Sequence, residues 1–199
     1  SFLNVVVHRI PARLSVVAPA SSCPGCGHEI RGRDNVPVVS WLLLRARCRD
    51  CDAPISARYP LVEAATGLLF VAVTLLSVLA PWSPLVAPDG VSGSIHGAVL
   101  LVALLYLMAI SISLTLIDLD THTLPNRIVL PAYIVLPVLL LVASAVSGDW
   151  GAAVRGIVGL VVLGGVYLLL ALAVLGGMGL GDVKLAGVAG AHLGFLGAE

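Results

Sequence analysis

Two carboxylates and four thiols carry the chemistry that can be read in this chain. Asp182 stands in Gly177-Met178-Gly179-Leu180-Gly181-Asp182-Val183-Lys184, directly after a long run whose single charge is Arg155. A charge in lipid costs on the order of 3 kcal/mol or more, so a carboxylate and an amine at that point call for a reason. The alternating glycines remove side-chain bulk and let another backbone, such as a substrate's, come close. Asp118 lies 64 residues earlier, in Ile117-Asp118-Leu119-Asp120-Thr121-His122-Thr123-Leu124-Pro125-Asn126. Two carboxylates held close cannot both ionise cheaply. They share a proton, one acting as base toward a water and the other as acid toward a carbonyl. That is aspartic-protease chemistry, and it needs no Ser, Cys or metal-bound nucleophile.

The bland alternative is that both aspartates solvate or cap helix ends. Their joint placement, with glycines beside one and Leu124-Pro125-Asn126 beside the other, favours a working pair. Asp120, two residues from Asp118, is expected in a solvated loop and is the alternative first aspartate. The glycine stretch is no nucleotide loop: it lacks G-x-G-x-x-G, a preceding strand and a GK[ST].

The thiols form a second constellation. Cys23-Pro24-Gly25-Cys26 and Cys48-Arg49-Asp50-Cys51 are two C-x2-C knuckles separated by 21 residues. Each knuckle aims two thiolates at one ion, and two knuckles complete a tetrahedral, structural zinc site. The competing readings are two disulfides or free thiols. A reducing cytoplasm disfavours disulfides.

These groups must be positioned by membrane helices. Of 199 residues, 59% are hydrophobic and 11% charged. Soluble domains carry about 25% charged residues, so a large globular core is excluded and a polytopic bundle expected. The fold expected is an all-α multi-helix transmembrane bundle with a small cytoplasmic four-Cys insertion. Residues 1–11 end one helix, 12–58 form the insertion, and 59–199 form the core, with spans near 61–80, 97–117, 128–146 and 152–176 and an incomplete one at 183–199. Residues 81–96 read as a loop and Gly148-Asp149-Trp150-Gly151 as a tight turn. Both ends look cut, with further helices expected on either side.

Eight of the eleven Lys and Arg precede residue 60, which places 12–58 in the cytoplasm. Counting spans from there brings Asp118 and Asp182 to that same face, with Arg155 as the one dissenting charge. The arginines of the insertion suit anionic lipid, and no nucleic-acid partner is expected.

With these motifs in place, the chain resembles the type IV prepilin peptidases, bacterial membrane aspartyl proteases of the GxGD type. The matching residues are Ser1-Phe2-Leu3-Asn4-Val5-Val6 with Arg9-Ile10-Pro11, the double C-x2-C, and Pro54-Ile55-Ser56-Ala57-Arg58-Tyr59-Pro60 with Glu63. Asp118 seven before Pro125-Asn126, and Gly177 through Leu185 with Gly190 and Gly194, complete the match. The resemblance implies that Asp118 and Asp182 are the catalytic pair, in an inner-membrane enzyme that removes the basic leader of type IV prepilins and pseudopilins at the cytoplasmic face. It also implies methylation of the new N-terminus from S-adenosylmethionine in many members. Supporting or substrate-binding roles fall to Gly179, Gly181, Lys184, Glu63, Pro125 and Asn126, with Lys184 steadying an ionised aspartate and Glu63 meeting the leader or the new amine. A different class, a proton-coupled carrier relaying protons through the paired aspartates, is the alternative. A zinc-bearing scaffold without catalysis is a third, and it leaves the paired aspartates unexplained.

Overall fold

A computed structural model describes residues 2–36, 38–79, 90–173 and 179–197. Among them are seven α-helices: α1 (Phe2–Arg9), α2 (Val39–Leu43), α3 (Arg58–Leu79), α4 (Val91–Thr121), α5 (Asn126–Ser147), α6 (Trp150–Ala173) and α7 (Leu180–Leu196). Among the described residues the only β pairing is two isolated bridges, Ser22 with Glu29 and Arg47 with Pro54. Helices α3, α4, α5 and α6 are each long and apolar enough to cross a membrane. The all-α multi-span architecture expected from composition is the one observed.

The helices overrun the apolar runs that announce them. Residues 91–96, expected as loop, are helical: the Ser94 hydroxyl donates to the Gly90 carbonyl at 3.2 Å. His96 Nδ1 lies 2.9 Å from the Ala143 carbonyl of α5. The rest of that loop (81–89), and Gly177 and Met178 of the glycine motif, lie outside the described residues. At the opposite hairpin the turn is shorter than expected. Gly148, with φ +76°, closes α5, and α6 begins at Trp150. The Asp149 carboxylate accepts the Ala152 amide at 3.0 Å, which caps the new helix.

Helix α4 has 31 residues. At 1.5 Å per residue it is about 46 Å long, against a hydrocarbon core of about 30 Å. Roughly ten of its residues therefore stand clear of the core, and its C-terminal turns carry Asp118 and Asp120. The α4–α5 hairpin forms the centre of the bundle. Leu100, Ala103, Leu114, Ile117, Val129, Ala132, Leu136 and Ala143 are all buried there. By contrast, only 17% of the most apolar window of α3 and 6% of that of α6 is buried within the chain. Their remaining surface suits lipid, which is as apolar as leucine and needs no protein cover.

Helix α7 is held by removing side chains rather than adding them. A Cβ on Gly159 of α6 would run into the Gly190 carbonyl of α7, and one on Gly194 would run into the Arg155 carbonyl. Gly164 and Gly187 meet in the same seam, 3.3 Å from the Cβ position of one to the Cα of the other. In a membrane, such close backbone approach replaces the hydrophobic drive that water supplies elsewhere. Gly165, one residue on, has nothing among the described residues within 4 Å of its Cβ position. Gly159→Leu should therefore destabilise the chain by about 1–3 kcal/mol through overpacking. Gly165→Ala should leave stability unchanged or raise it by up to about 1 kcal/mol. Thermal unfolding in detergent separates the two, and equal melting of both variants would refute this account of the seam.

Candidate active site and metal centre

The site is built at one end of the bundle by the short α4–α5 link. Helix α4 ends in a left-handed residue, His122, whose amide donates to the Asp118 carbonyl at 2.8 Å. This is the single-bond C-terminal cap, and it fixes the backbone of Asp118 itself. Asp118 lies one turn beyond Leu114 (0% exposed) and two beyond Ile110 (7%), so its carboxylate crowns the buried stripe of α4. The side chain of Asp118 is exposed. Pro125 then opens α5, its carbonyl accepting the Ile128 amide at 3.0 Å.

Two contacts dock this link on the start of α7. Leu124 sits where Gly181 has no side chain: a Cβ there would be 2.6 Å from the Leu124 Cβ. Lys184 Nζ donates to Asn126 Oδ1 at 3.0 Å. One turn deeper, the Tyr133 hydroxyl of α5 donates to the Lys184 carbonyl at 2.7 Å and covers Gly187. Asp182 is the third residue of α7, half-buried, and its Oδ2 accepts the Gly179 amide at 3.2 Å while its own amide donates to the Gly179 carbonyl at 3.1 Å. The carboxylate thereby satisfies one of the free amides at a helix start. Asp118 and Asp182 thus belong to two helix ends that Leu124, Asn126 and Pro125 bring to the same end of the bundle.

The other expected residues are placed as follows. Among the described residues, Gly179 has near its Cβ position only Asp182 Oδ2 at 3.6 Å and the Gly181 amide at 3.9 Å. Lys184 directs its amine to Asn126. Glu63 accepts the Val38 amide at 3.2 Å and the Asn4 side-chain amide at 3.4 Å, which joins α1, α3 and the segment before α2. Asn4 also donates to the Tyr59 carbonyl at 3.2 Å. Asp120 is not in a loop, because α4 continues to Thr121. It is clasped by Arg58 through two hydrogen bonds of 2.9 and 2.6 Å. Arg155, the dissenting charge, lies 3.4 Å from Asp149 at the other end of the bundle.

Three of these features escaped the sequence reading: the Arg58–Asp120 clasp, the Tyr133 anchor, and His192. His192 is 2% exposed, with neither ring nitrogen hydrogen-bonded among the described residues. Arg58 lies inside a stretch of recognisable sequence, yet nothing in the sequence pairs it with a residue 62 positions away.

The four cysteines converge, with Sγ atoms of Cys23, Cys26, Cys48 and Cys51 all within 4.8 Å of one another. Zn–S bonds of about 2.3 Å in a tetrahedron require sulfur–sulfur edges of about 3.8 Å. Cys23 and Cys51 stand 3.7 Å apart, so the donor set fits one tetrahedral ion. The two knuckles repeat one local fold. The Cys23 amide donates to the His28 carbonyl at 2.9 Å, and the Cys48 amide to the Ala53 carbonyl at 2.8 Å. Gly27 and Asp52 occupy equivalent left-handed positions at φ +74° and +56°. Arg49 grips Asp34 bidentately at 2.9 and 2.6 Å, and Arg31 meets Asp50 at 2.9 Å, tying the second knuckle to the chain after the first.

The electrostatics match that assembly. Hydrogen bonding to the Arg49 guanidinium holds Asp34 below the usual carboxylate range. Backbone amides of Gly25 and Cys26 lower the Cys23 thiol to about 7. The Ala53 amide pulls Cys51 the same way, yet the neighbouring thiols and burial push it up to about 12. Four thiols this close resist carrying four negative charges, and a divalent cation removes that resistance.

Most of the chain is matched among known peptidases. Residues 1–77 match the Bacterial Peptidase A24 N-terminal domain, and residues 103–198 the Type IV leader peptidase family. The prepilin leader peptidase/N-methyltransferase of Aeromonas hydrophila is 38% identical over 222 residues, covering 98% of this chain and 69% of the relative. The protein of that name from Klebsiella pneumoniae is 38% identical over 205 residues, covering 98% and 80%. Its counterpart in Myxococcus xanthus is 61% identical over 72 residues, covering 36% and 22%. No solved structure matches the chain. The chain belongs to the type IV leader peptidase family and is an enzyme of the peptidase class. The relay alternative gains no support from this membership.

Cobalt substitution tests the metal centre. The full chain should take up one Co2+ per four cysteines, with the visible absorption of a tetrahedral thiolate site. Cys48→Ser should weaken uptake at least ~10-fold, because one of four ligands is lost. Unchanged uptake by that variant would remove the assignment.

Proposed function

We propose that the chain removes the basic leader of type IV prepilins and pseudopilins at the cytoplasmic face of the inner membrane, using Asp118 and Asp182. The observation that carries this reading is the docking of the α4–α5 link on α7, through Leu124 on Gly181 and Lys184 on Asn126. It leaves both carboxylates at one end of the bundle. In the mechanism, one carboxylate takes a proton from a water that attacks the scissile carbonyl, while the protonated partner donates to the carbonyl oxygen. Collapse of the tetrahedral intermediate breaks the C–N bond, the hydroxyl proton returns to the partner carboxylate, and the proton held by the first carboxylate passes to the leaving amine. Asp120 is engaged by Arg58 and is poorly suited to share a proton, which supports Asp118 as the first member of the pair.

Residues 12–58 act as the cytoplasmic module and 59–199 as the protease core. The face follows from the arginines of the module. The Arg58–Asp120 clasp adds that the module's exit and the end of α4 share one side. The missing side chain of Gly179 suits the approach of an extended substrate backbone, and Glu63, with its carboxylate at the module junction, suits the positive leader or the new amine. Zinc is the ion proposed for the four thiolates, in a purely structural role because no coordination position is left open. N-methylation of the new N-terminus, with S-adenosylmethionine as donor, is the second half of the proposal and rests on the names of the relatives.

Incubation of the membrane-embedded chain with a prepilin, with and without S-adenosylmethionine, tests both halves through product masses. Loss of the leader mass is expected, followed by a methyl increment only when the donor is present. Asp118→Asn and Asp182→Asn should each slow cleavage by at least ~100-fold, the lower range for a general acid or base. Substantial cleavage by either variant would sink the assignment.

A further inference from the structure

We propose that Arg58 and Asp120 form a latch that aims Asp118, so that both are positioning residues of the peptidase site. This rests on the reading of Asp118 as catalytic. Asp120 is the penultimate residue of α4, on a turn that has little packing of its own: Leu119 is 71% exposed. Helix ends fray unless tied down. On one side the turn is tied through the link, where Leu124 rests on Gly181. On the other side the tie is the fork of Arg58, whose two nitrogens meet both oxygens of Asp120 at 2.9 and 2.6 Å. A bidentate guanidinium–carboxylate pair fixes orientation as well as distance.

Helical geometry turns that tie into aim. Residues two apart stand about 200° apart around the axis, so a clasp on Asp120 toward α3 sets Asp118 on the far side of α4. There Asp118 continues the buried stripe of Ile110 and Leu114. A rotation of the last turn by ~20° would move a carboxylate about 6 Å from the axis by about 2 Å. Misplacement of a reacting group by about 1 Å can cost ~100-fold in rate.

Arg58 is in turn held by the four-cysteine module. The bridge from Arg47 to Pro54 closes the second knuckle, and the Ile55 amide donates to the Ala46 carbonyl at 2.7 Å. The Trp41 indole donates to the Ile55 carbonyl at 3.0 Å, and the Arg58 amide donates to the Ser56 hydroxyl at 3.2 Å. The latch therefore links the metal-binding fold to the end of α4 within three residues of Ile55. Both partners remain partly exposed, 48% for the Arg58 side chain and 40% for Asp120. An exposed pair of this kind adds little to global stability. Its loss should appear in the rate and not in the melting temperature.

The test measures kcat and KM of the full membrane-embedded chain on a prepilin peptide with a basic leader. The variants are Asp120→Asn, Arg58→Gln, the charge-swapped pair R58D with D120R, and Asp118→Asn. Each single latch variant should lower kcat by ~10- to 100-fold, with KM and the melting temperature nearly unchanged. The swapped pair should recover most of the loss. Wild-type kcat in both single variants overturns the latch. So does a swapped pair no better than the singles. Full activity of Arg58→Gln beside a dead Asp120→Asn would make Asp120 a group that acts on substrate directly, and also overturns it. Cleavage by Asp118→Asn would instead refute the underlying reading of the site, whatever the latch variants do.

Discussion

The contact on which the site depends is Leu124 resting in the space Gly181 leaves empty. Any larger residue at 181 would push the α4–α5 link off the start of α7, and that link leads directly from the helix of Asp118 to the surface of the helix of Asp182. Around this contact the chain adds polar ties of graded depth: Lys184 on Asn126 at the rim, and Tyr133 on the Lys184 carbonyl a turn below. The position of α7 is fixed from its other side by the glycine seam with α6. One helix is therefore held between two neighbours chiefly by the absence of side chains, which leaves no slack for it to rotate.

The module end is organised by charge instead of close packing. Asp34 with Arg49, Arg31 with Asp50, and Arg58 with Asp120 are all ion pairs, and all join segments far apart in sequence. Individually, exposed pairs of this kind contribute about 0–1 kcal/mol. Their value here is geometric, because a fork of two hydrogen bonds specifies an angle that an apolar contact does not. The two knuckles need that help. Each is a short turn with no core of its own, and an ion held by all four thiolates adds the remaining constraint.

The sequence disclosed the all-helical class, the cysteine cluster and the family because each is a local pattern: apolar runs of about 20 residues, C-x2-C knuckles, a glycine-spaced aspartate. It misjudged where helices begin and end, since Val91 to His96 and Leu119 to Thr121 are polar enough to read as loop yet are helical through Ser94, His96 and the cap at His122. It also assigned the glycines one purpose where the structure divides them. Gly181 is filled by the protein's own Leu124, while Gly179, among the described residues, meets only Asp182 and Gly181. The Arg58–Asp120 clasp was illegible for a simpler reason. A pairing across 62 residues depends on how α3 and α4 pack, and no spacing rule reports that.

The length of α4 suits the proposed placement of the carboxylates at the membrane edge. A two-aspartate reaction needs one ionised carboxylate, and an ionised carboxylate deep in the hydrocarbon costs several kcal/mol. The polar groups that the described bundle does bury, Ser113, Ser144 and His192 among them, can all remain neutral. A helix of about 46 Å is long enough to span a core of about 30 Å and still carry Asp118 beyond it. In the proposed placement that charge is hydrated, above a scaffold that is apolar. Asp182 is placed differently, as the third residue of a helix that starts there and offers it the Gly179 amide. One aspartate thus stands on a helix that ends, and the other on a helix that begins. The chain needs only the four residues from His122 to Pro125 to turn between the helix of the first and the neighbour on which the second is docked.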